Sequence, residues 1–536
     1  MSQKGMNRRK FIKRSSAACA AVALLPGSLH VQAEKASAMG SSGGTKSGAK
    51  KTSAAQAKPL PEWAGRVRSS DMNGIGPDGK PDPDYNANGT GHSRANFEHD
   101  PLKPHQMALT SEEKAILDGK KGEVLAKVMK TVVAHGNAFG ATKLVDLGGR
   151  PHSSFYMGPP YCGALLDVLT ECADADLKSY APYTINPRPA DLYNVMVEAD
   201  EAEMAFEGYP LQMKLDYVHA RLGGEGLSTR SCTCYLPEIG NAPKPGTYVA
   251  WAESSAVNFG NSVLGLRTNR NATGMEILCA LLGKAPLFGL MTDEGRMAKW
   301  LIDVRTKKEP DWGVLGGAIG VKCTEDVPYI TGIDKYLGGK VDGSNIHKLK
   351  AMGSATASNG AVGLYHVENI TPDAKEKGRK LLVKDYQTYV IDDAEIDRIY
   401  KSYPNLWSKK KAKPTRCFIG CPHNTYQEVY TWGKNVTEAL KKRNQKKVAI
   451  PIHLFCANVV RDRLLDEHPI MVRDMKRAGM TFSNMCTVTF TGLRGYQETE
   501  FAVTNSNKTR KYSSARYFPD DVLLEIVLTG KMPKGA

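Results

Sequence analysis

Apolar residues recur at helical spacing from Thr110 onward. Thr110 and Glu113 form the S/T-x-x-E pattern of a capping box, which marks the start of a helix. The apolar positions that follow lie three, four and seven residues apart, at Ile116, Leu117, Val124, Leu125, Val128 and Met129. The pattern predicts that the folded part begins with helices here. A second long helix, with alanine and leucine faces, is predicted at 160–173.

Short continuous apolar runs alternate with helical patterns along the rest of the chain. The predicted strands are Lys143–Leu147, Thr247–Trp251, Ala285–Leu290, Arg416–Gly420, Lys447–Leu454 and Phe482–Val488. A helix over Tyr426–Trp432 is expected directly after one of them. Strands that are apolar throughout and alternate with helices are typical of parallel sheets covered by helices. The sequence therefore predicts the α/β class.

The first 33 residues have the pattern of an export signal. A basic stretch with Arg8-Arg9 precedes the short apolar run Ala17–Leu25, and Val31-Gln32-Ala33 supplies the small residues of a cleavage site. Paired arginines followed by Phe and Lys resemble the twin-arginine type, and an ordinary signal peptide is the alternative. The run is too short for a permanent membrane anchor. We therefore expect passage through the twin-arginine translocase and a periplasmic or otherwise exported protein.

The remaining chain divides into three segments. Residues 34–105 are rich in small and polar residues and in turn formers, so a flexible tether and a loop-rich segment are expected. Residues 106–519 carry the periodic patterns and form the predicted catalytic region, with two to three α/β subdomains. Residues 520–536 are predicted to form a C-terminal helix and tail.

The formal charge of +16 raises the question of nucleic-acid binding. Residues 1–60 hold eleven Lys or Arg and one acidic residue, which leaves an excess of +6 for the rest of the chain. That excess is spread out and is not gathered into a stripe with stacking aromatic residues. The composition therefore argues against a nucleic-acid partner.

Eleven cysteines are too few for a disulfide scaffold in a chain of 536 residues. After removal of Cys19 with the signal, ten could form five disulfides or could include a metal or cluster site loaded before export. Four are expected to be small buried apolar residues, namely Cys162, Cys172, Cys279 and Cys456.

Three cysteines follow apolar segments at positions where α/β folds place functional groups. Cys421 comes after the strand that ends near Gly420, Cys234 lies in a loop, and Cys486 ends an apolar run. Three thiolates can hold an iron–sulfur cluster while one iron keeps an open position, and such an iron is a Lewis acid. Cys232 and Cys234 could instead be disulfide partners or half of a zinc site.

Several ordered motifs resemble the large, aconitase-like part of the aconitase X family, over roughly residues 107–517. They are Met107–Glu113, Trp251–Ala256, Asn261–Gly265, Arg267–Arg270, Leu349-Lys350, Asn359–Ala361, His366, Thr371-Pro372, Gly420–His423 and Thr504–Lys508 with Tyr512. The resemblance implies several α/β domains around a central cleft. It also implies a dehydratase that removes water from a hydroxylated acid, such as cis-3-hydroxy-L-proline or a phosphorylated mevalonate.

The resemblance also assigns expected roles to residues. The cluster ligands are expected at Cys234, Cys421 and Cys486, with Cys232 as the alternative to Cys234, and the cluster could be [2Fe-2S] or [4Fe-4S]. Candidates for the base are Glu253, Ser254 and Ser255, or Lys508 if desolvation lowers its pKa, and Glu253 could instead orient Arg267 or Arg270. Candidates for substrate binding are His152, Ser153, Asn241, Thr268, Asn269, Arg270, Asn505 and Ser506, with Arg270 as a bidentate carboxylate clamp. His152 could equally be structural.

The chain departs from the family pattern in three places. Tyr235-Leu236-Pro237 replaces the usual run after Cys234, and a glycine expected beside His152 is absent. The small swivelling domain of the family is missing, so a separate small subunit is the expected partner. The leading hypothesis is an exported iron–sulfur dehydratase of a hydroxyproline-like acid. The alternative is a non-catalytic periplasmic protein that binds small acids.

Overall fold

The computed structural model describes residues 105–154, 163–188, 191, 212–488 and 500–534. The predicted signal peptide, almost all of the tether, and Cys162 lie outside these residues. Within the described part of the chain, no helix is both long and apolar enough to cross a membrane.

The first part of the fold packs short strands against helices. Its helices are α1 (Ser111–Leu117), α2 (Glu123–Ala138), α3 (Gly163–Asp174), α4 (Ser254–Ser262) and α5 (Met275–Leu282), with a further helical stretch at 212–222. Strands β1 (Leu144–Asp146) and β4 (Lys284–Pro286) pair antiparallel, and β2 (His152–Ser153) and β3 (Thr184–Ile185) pair parallel. A core that includes Met129, Val132 and Leu169 holds most of these elements together, whereas α4 packs into the core of the parallel sheets that follow in the chain.

A four-stranded parallel sheet follows in the chain. Its strands are β5 (Ala298–Val304), β6 (Pro328–Thr331), β7 (His366–Val367) and β8 (Leu382–Ile391), in the order β7-β6-β5-β8. The accompanying helices are α6 (Trp312–Cys323), α7 (Ile346–Asn359), α8 (Pro372–Lys377) and α9 (Asp393–Lys401). Helix α6 is buried along most of its length, because Gly316 and Gly320 let the backbone of α7 approach closely.

A five-stranded parallel sheet completes the fold. Its strands are β9 (Arg416–Ile419), β10 (Ile452–Phe455), β11 (Met480–Ser483), β12 (Ala502–Thr504) and β13 (Arg516–Tyr517), in the order β11-β10-β9-β12-β13. Its helices are α10 (Tyr426–Lys442), α11 (Asn458–Glu467), α12 (Pro469–Ala478), α13 (Asn507–Tyr512) and α14 (Asp520–Thr529). This sheet shares one hydrophobic core with the four-stranded sheet.

The predicted α/β class is confirmed, and so is the capping box, in which the Thr110 side chain and Glu113 bond each other's backbone amides. The strand prediction at Thr247–Trp251 is wrong, because this segment forms only isolated bridges. The strand predicted at Phe482–Val488 lies earlier in the chain, at Met480–Ser483. Strands β1 and β4 form as predicted but pair antiparallel, so the parallel arrangement does not extend to them.

Candidate functional site

A buried ion pair joins two distant segments at the centre of the candidate site. Lys508 Nζ lies 2.6 Å from Glu253 Oε1, and both side chains are about one-tenth exposed. Glu253 precedes α4 and caps it by accepting the Ser255 amide, while Lys508 lies in the first turn of α13. Lys508 Nζ also donates to Ser254 Oγ at 3.1 Å. All four predicted base candidates are therefore connected, since Ser255 Oγ also donates to Glu253 Oε1 at 2.8 Å.

The pair is charged in the folded chain. Burial alone would raise the pKa of Glu253, but the Lys508 ammonium and hydrogen bonds from Asn186 and Ser255 outweigh it and bring the pKa to about 2. Burial would lower the pKa of Lys508, and the charges of Glu253 and Cys421 raise it well above its ordinary value instead. The idea that desolvation makes Lys508 a neutral amine is therefore wrong for this structure.

A chain of polar side chains runs from Glu253 to His152. Asn186 Nδ2 donates to Glu253 Oε2 at 3.0 Å, and Asn186 Oδ1 lies 3.1 Å from His152 Nε2. The other ring nitrogen of His152 contacts Thr184 Oγ1 at 2.9 Å, and Thr184 also accepts from Asn241 Nδ2. His152 is fully buried, and burial lowers its pKa to about 4, so it is neutral at physiological pH. His152 and Asn241 thus support the position of Glu253 through their contacts with Asn186 and Thr184.

Ser153 belongs to a second polar group beside this chain. Its hydroxyl donates to Glu276 Oε1 at 3.1 Å, and the amides of Ser154 and Gly274 donate to the same carboxyl group. Glu276 is fully buried in the first turn of α5, and burial raises its pKa to about 7.

Two of the predicted or alternative ligand thiols, those of Cys421 and Cys232, interact electrostatically with the ion pair. Burial raises the pKa of Cys421 to about 12, and the charges of Lys508 and Cys486 act on the same thiol. Burial likewise raises the pKa of Cys232, whose thiol also interacts electrostatically with Glu253 and Cys421. Cys421 therefore interacts electrostatically with both Cys232 and Cys486.

The surroundings of Cys234 are different. Its thiol is fully buried, and after burial the largest influences on its pKa come from Thr184 and Arg150. The amide of His423, two residues after Cys421, donates to Cys232 Sγ at 3.2 Å, and this contact favours the Cys232 alternative over Cys234. Cys172, Cys279 and Cys456 are buried thiols outside any disulfide, as expected.

The remaining substrate-binding candidates are held mainly by structural contacts. Thr268 Oγ1 accepts the Trp251 amide, and the Asn269 side chain bonds the backbone of Phe288 and Leu290. Asn505 donates to Asp520 at 2.8 Å. Ser506 caps α13 and donates to the carbonyl oxygen of Cys421, so of these four it alone contacts a cysteine residue within the described chain.

Arg270 does not face the ion pair. Its guanidinium bonds the Ala361 carbonyl and pairs with Glu325 Oε2 at 3.3 Å, and its side chain is about one-third exposed. These contacts do not support its predicted role as a carboxylate clamp, because they direct its donors to the protein surface.

Sequence analysis did not assign site roles to three residues that belong here. Asn186 directly follows the short strand β3, and this position was the available signal. Tyr512 interacts electrostatically with Lys508, Glu253 and Cys421. Lys350 is buried and donates to the His423 carbonyl oxygen at 3.0 Å. Both Tyr512 and Lys350 lie in motifs that carried the resemblance.

Comparison with known proteins identifies relatives over most of the described chain. The model of the aconitase X first domain matches residues 106–294, and that of the second domain matches residues 298–401. The phosphomevalonate dehydratase large subunit of Thermococcus kodakarensis is 31% identical over 360 residues, which are 66% of this chain and 82% of that protein.

The chain is also similar to a second kind of dehydratase and to a solved structure. The cis-3-hydroxy-L-proline dehydratase of Pseudomonas aeruginosa is 31% identical over 274 residues, which are 49% of this chain and 43% of that protein. The crystal structure of Thermococcus kodakaraensis aconitase X in its holo form superposes with a TM-score of 0.64 at 28% identity, covering 80% of this chain and 100% of that one.

Proposed function

The chain belongs to the aconitase X family and is a hydro-lyase, and from this premise we propose that it removes water from a small hydroxy acid such as a hydroxyproline with the help of an iron–sulfur cluster. The observation that carries the proposal is the buried Glu253–Lys508 ion pair, whose charges act on the Cys421 thiol. Because the relatives are dehydratases, the alternative of a non-catalytic binding protein loses its support.

The thiols supply the ligand type that iron–sulfur clusters take. In the described residues, no three His, Cys, Asp or Glu side chains converge on one metal-ion position. A cluster instead takes thiolates spread around several atoms. Cys421, Cys486 and Cys232 would hold it, with Cys232 in place of Cys234. When bound, an iron with an open position acts as a Lewis acid toward a hydroxyl group.

Of the candidate bases, the contacts favour Ser254. Glu253 already accepts from Lys508, Asn186 and Ser255, so it has little capacity to take a proton. The Lys508 ammonium donates to Ser254 Oγ at 3.1 Å, and a cation at this distance stabilises the alkoxide form of the hydroxyl. Ser254 is also half-buried, whereas Ser255 is fully buried. A substrate can therefore reach Ser254.

Lys508 has a second role in this proposal. Its ammonium carries three protons and donates to Glu253 and Ser254, which leaves one donor for the carboxylate of the substrate. Glu253 fixes the ammonium, and the chain through Asn186 to His152 fixes Glu253. The polar chain therefore orients the cation and does not itself exchange protons.

A separate small subunit is part of the proposal. The relatives that this chain covers to 82% are named large subunits, and the hydroxyproline dehydratase is matched over 43% of its own length. We infer that the swivelling part is supplied by a second chain. We also infer export by the twin-arginine route to the periplasm, because the Arg8-Arg9 signal accompanies a cofactor that must be inserted before transport.

Alanine variants of the neighbouring serines Ser254 and Ser255 test this function. The full chain is co-expressed with a small protein encoded nearby that carries a serine-rich loop, and dehydration of cis-3-hydroxy-L-proline is followed. We expect Ser254→Ala to lower kcat at least about 100-fold with little change in KM. Ser255→Ala, the matched control, should retain most of the turnover. Equal losses in both variants would contradict the assignment of Ser254, and no turnover of any small hydroxy acid by the wild-type pair would contradict the function.

A further inference from the structure

His423 contacts all of the chain segments that carry the clustered thiols. Its backbone N–H donates to Cys232 Sγ at 3.2 Å, and its ring Nδ1 lies 3.1 Å from Ser231 Oγ. Its other ring nitrogen, Nε2, lies 3.0 Å from the carbonyl oxygen of Met485, the residue before Cys486. His423 itself follows Cys421 by two positions. One fully buried residue thus connects three segments that lie far apart in the sequence.

The two ring nitrogens of His423 have different hydrogen-bonding roles. A carbonyl oxygen only accepts, so the Met485 contact requires a proton on His423 Nε2. Ser231 Oγ accepts from the Thr233 amide at 3.1 Å, which fixes the hydroxyl that faces Nδ1. Loss of the ring would leave the Met485 carbonyl and the Ser231 hydroxyl buried without these partners, which weakens the connection between their two segments.

The backbone carbonyl group of His423 is held by a further contact. The Lys350 ammonium donates to the His423 carbonyl oxygen at 3.0 Å and pairs with Glu428 at 2.8 Å. Glu428 is the third residue of α10 and closes a capping box with Thr425. The peptide that follows Cys421 is therefore held between α7 and α10 while the imidazole reaches to the other two segments.

We propose that His423 is a positioning residue that assembles the Cys232, Cys421 and Cys486 segments into one cluster-binding group. This inference rests on the proposed function, since it concerns the same cluster. The amide of His423 stabilises the Cys232 thiolate, and the imidazole fixes the distance between the Ser231–Cys232 and Met485–Cys486 segments. Groups that orient ligands in this way typically change metal affinity by about 10–100-fold.

Two conservative variants separate the ring contacts. In His423→Gln the side-chain amide reaches the position of Nε2 and can donate to the Met485 carbonyl. It loses the Ser231 contact, but the backbone N–H still holds the Cys232 segment. In His423→Asn the shorter amide reaches the position of Nδ1 and loses the Met485 contact. His366→Asn is the matched control, because His366 is also buried and its Nε2 lies 2.8 Å from a carbonyl oxygen, that of Arg296 in another part of the fold.

The readout is iron retention by the anaerobically purified full chain. Iron and acid-labile sulfide per chain are determined, and the rate of iron loss to a chelator is followed together with the unfolding midpoint. We expect His423→Asn to lose iron at least about tenfold faster than wild type and His423→Gln to stay within about threefold. His366→Asn should lower the unfolding midpoint without accelerating iron loss.

Two results would overturn the inference. One is iron retention by His423→Asn equal to that of His423→Gln, and the other is equally fast iron loss in His366→Asn, which would mark a general folding effect. Failure of the proposed function looks different, because the wild-type chain itself would then contain no iron.

Discussion

At the scale of single residues, the Glu253–Lys508 pair organises the site. Each charge is buried and depends on the other, since their Coulomb interaction and hydrogen bonds compensate for burial. Sequence analysis could name both residues from motifs, but it could not show that they form a pair. They are 255 positions apart, and the packing of both α4 and α13 against α7 brings them together.

Removing one partner should therefore destabilise the chain more than removing both. We expect Lys508→Met to lower the free energy of unfolding by about 3 kcal/mol, because it leaves a buried carboxylate without its cation. The double variant Lys508→Met/Glu253→Gln should recover a large part of this loss, while turnover stays absent in both. Chemical denaturation checks the prediction, and additive losses in the double variant would contradict the coupling.

Glu276 gives the stability of the fold a defined pH dependence. Burial raises its pKa from 4.5 to about 7, so the folded state holds the proton more tightly than the unfolded state. Its contribution is fully present below pH 4.5 and is lost as the pH rises through 7, by roughly 3 kcal/mol in total. Glu276→Gln should remove this part of the pH profile, whereas exposed Glu123→Gln should leave it intact. A profile unchanged in Glu276→Gln would contradict the assignment.

At the scale of elements, the sequence predicted best where a local signal exists. The predicted capping box at α1 is contained within four consecutive residues, and β9 follows from one apolar run. None of the strands β5 to β8 of the four-stranded sheet was predicted. Strand β8 lacks the expected apolar run because it is an edge strand with mostly exposed side chains. Strand partners were not predictable, since a parallel register depends on segments far apart in the chain.

The two capping boxes allow a comparison at this scale. We expect Thr425→Ala and Thr110→Ala each to cost about 1 kcal/mol of unfolding free energy, because each leaves helix amides without the side-chain acceptor. Only Thr425→Ala should also reduce iron content and turnover, since α10 carries the Glu428 that anchors Lys350. Thermal unfolding and iron analysis test this, and equal effects on iron would contradict the special role of α10.

At the scale of the whole molecule, the site is assembled from segments that start at His152 and end at Tyr512. The polar chain around Glu253 uses the first part of the fold, while the thiols and Lys508 come largely from the five-stranded sheet and its loops. Single motifs therefore named the loops that the structure brings together. They could not distinguish Cys232 from Cys234, because the two are only two residues apart and only the folded chain shows that the His423 amide contacts Cys232.

The proposed export is also a property of the whole molecule. We expect the double variant Arg8→Lys/Arg9→Lys to remain in the cytoplasm with its iron content unchanged, because the paired arginines are the feature that the twin-arginine route requires. Cell fractionation with an antibody against the chain checks this. Undiminished periplasmic protein would instead indicate an ordinary signal peptide.

The most direct test of the iron–sulfur hydro-lyase is iron and sulfide analysis of the anaerobically purified chain, with absorbance spectra, for the wild type and four single Cys→Ala variants. We expect cluster absorbance in the wild type and in Cys234→Ala. We expect its loss in the variants of the other three residues, Cys232, Cys421 and Cys486. A colourless wild-type chain without iron, or a cluster that survives in Cys232→Ala and is lost in Cys234→Ala, would contradict the account.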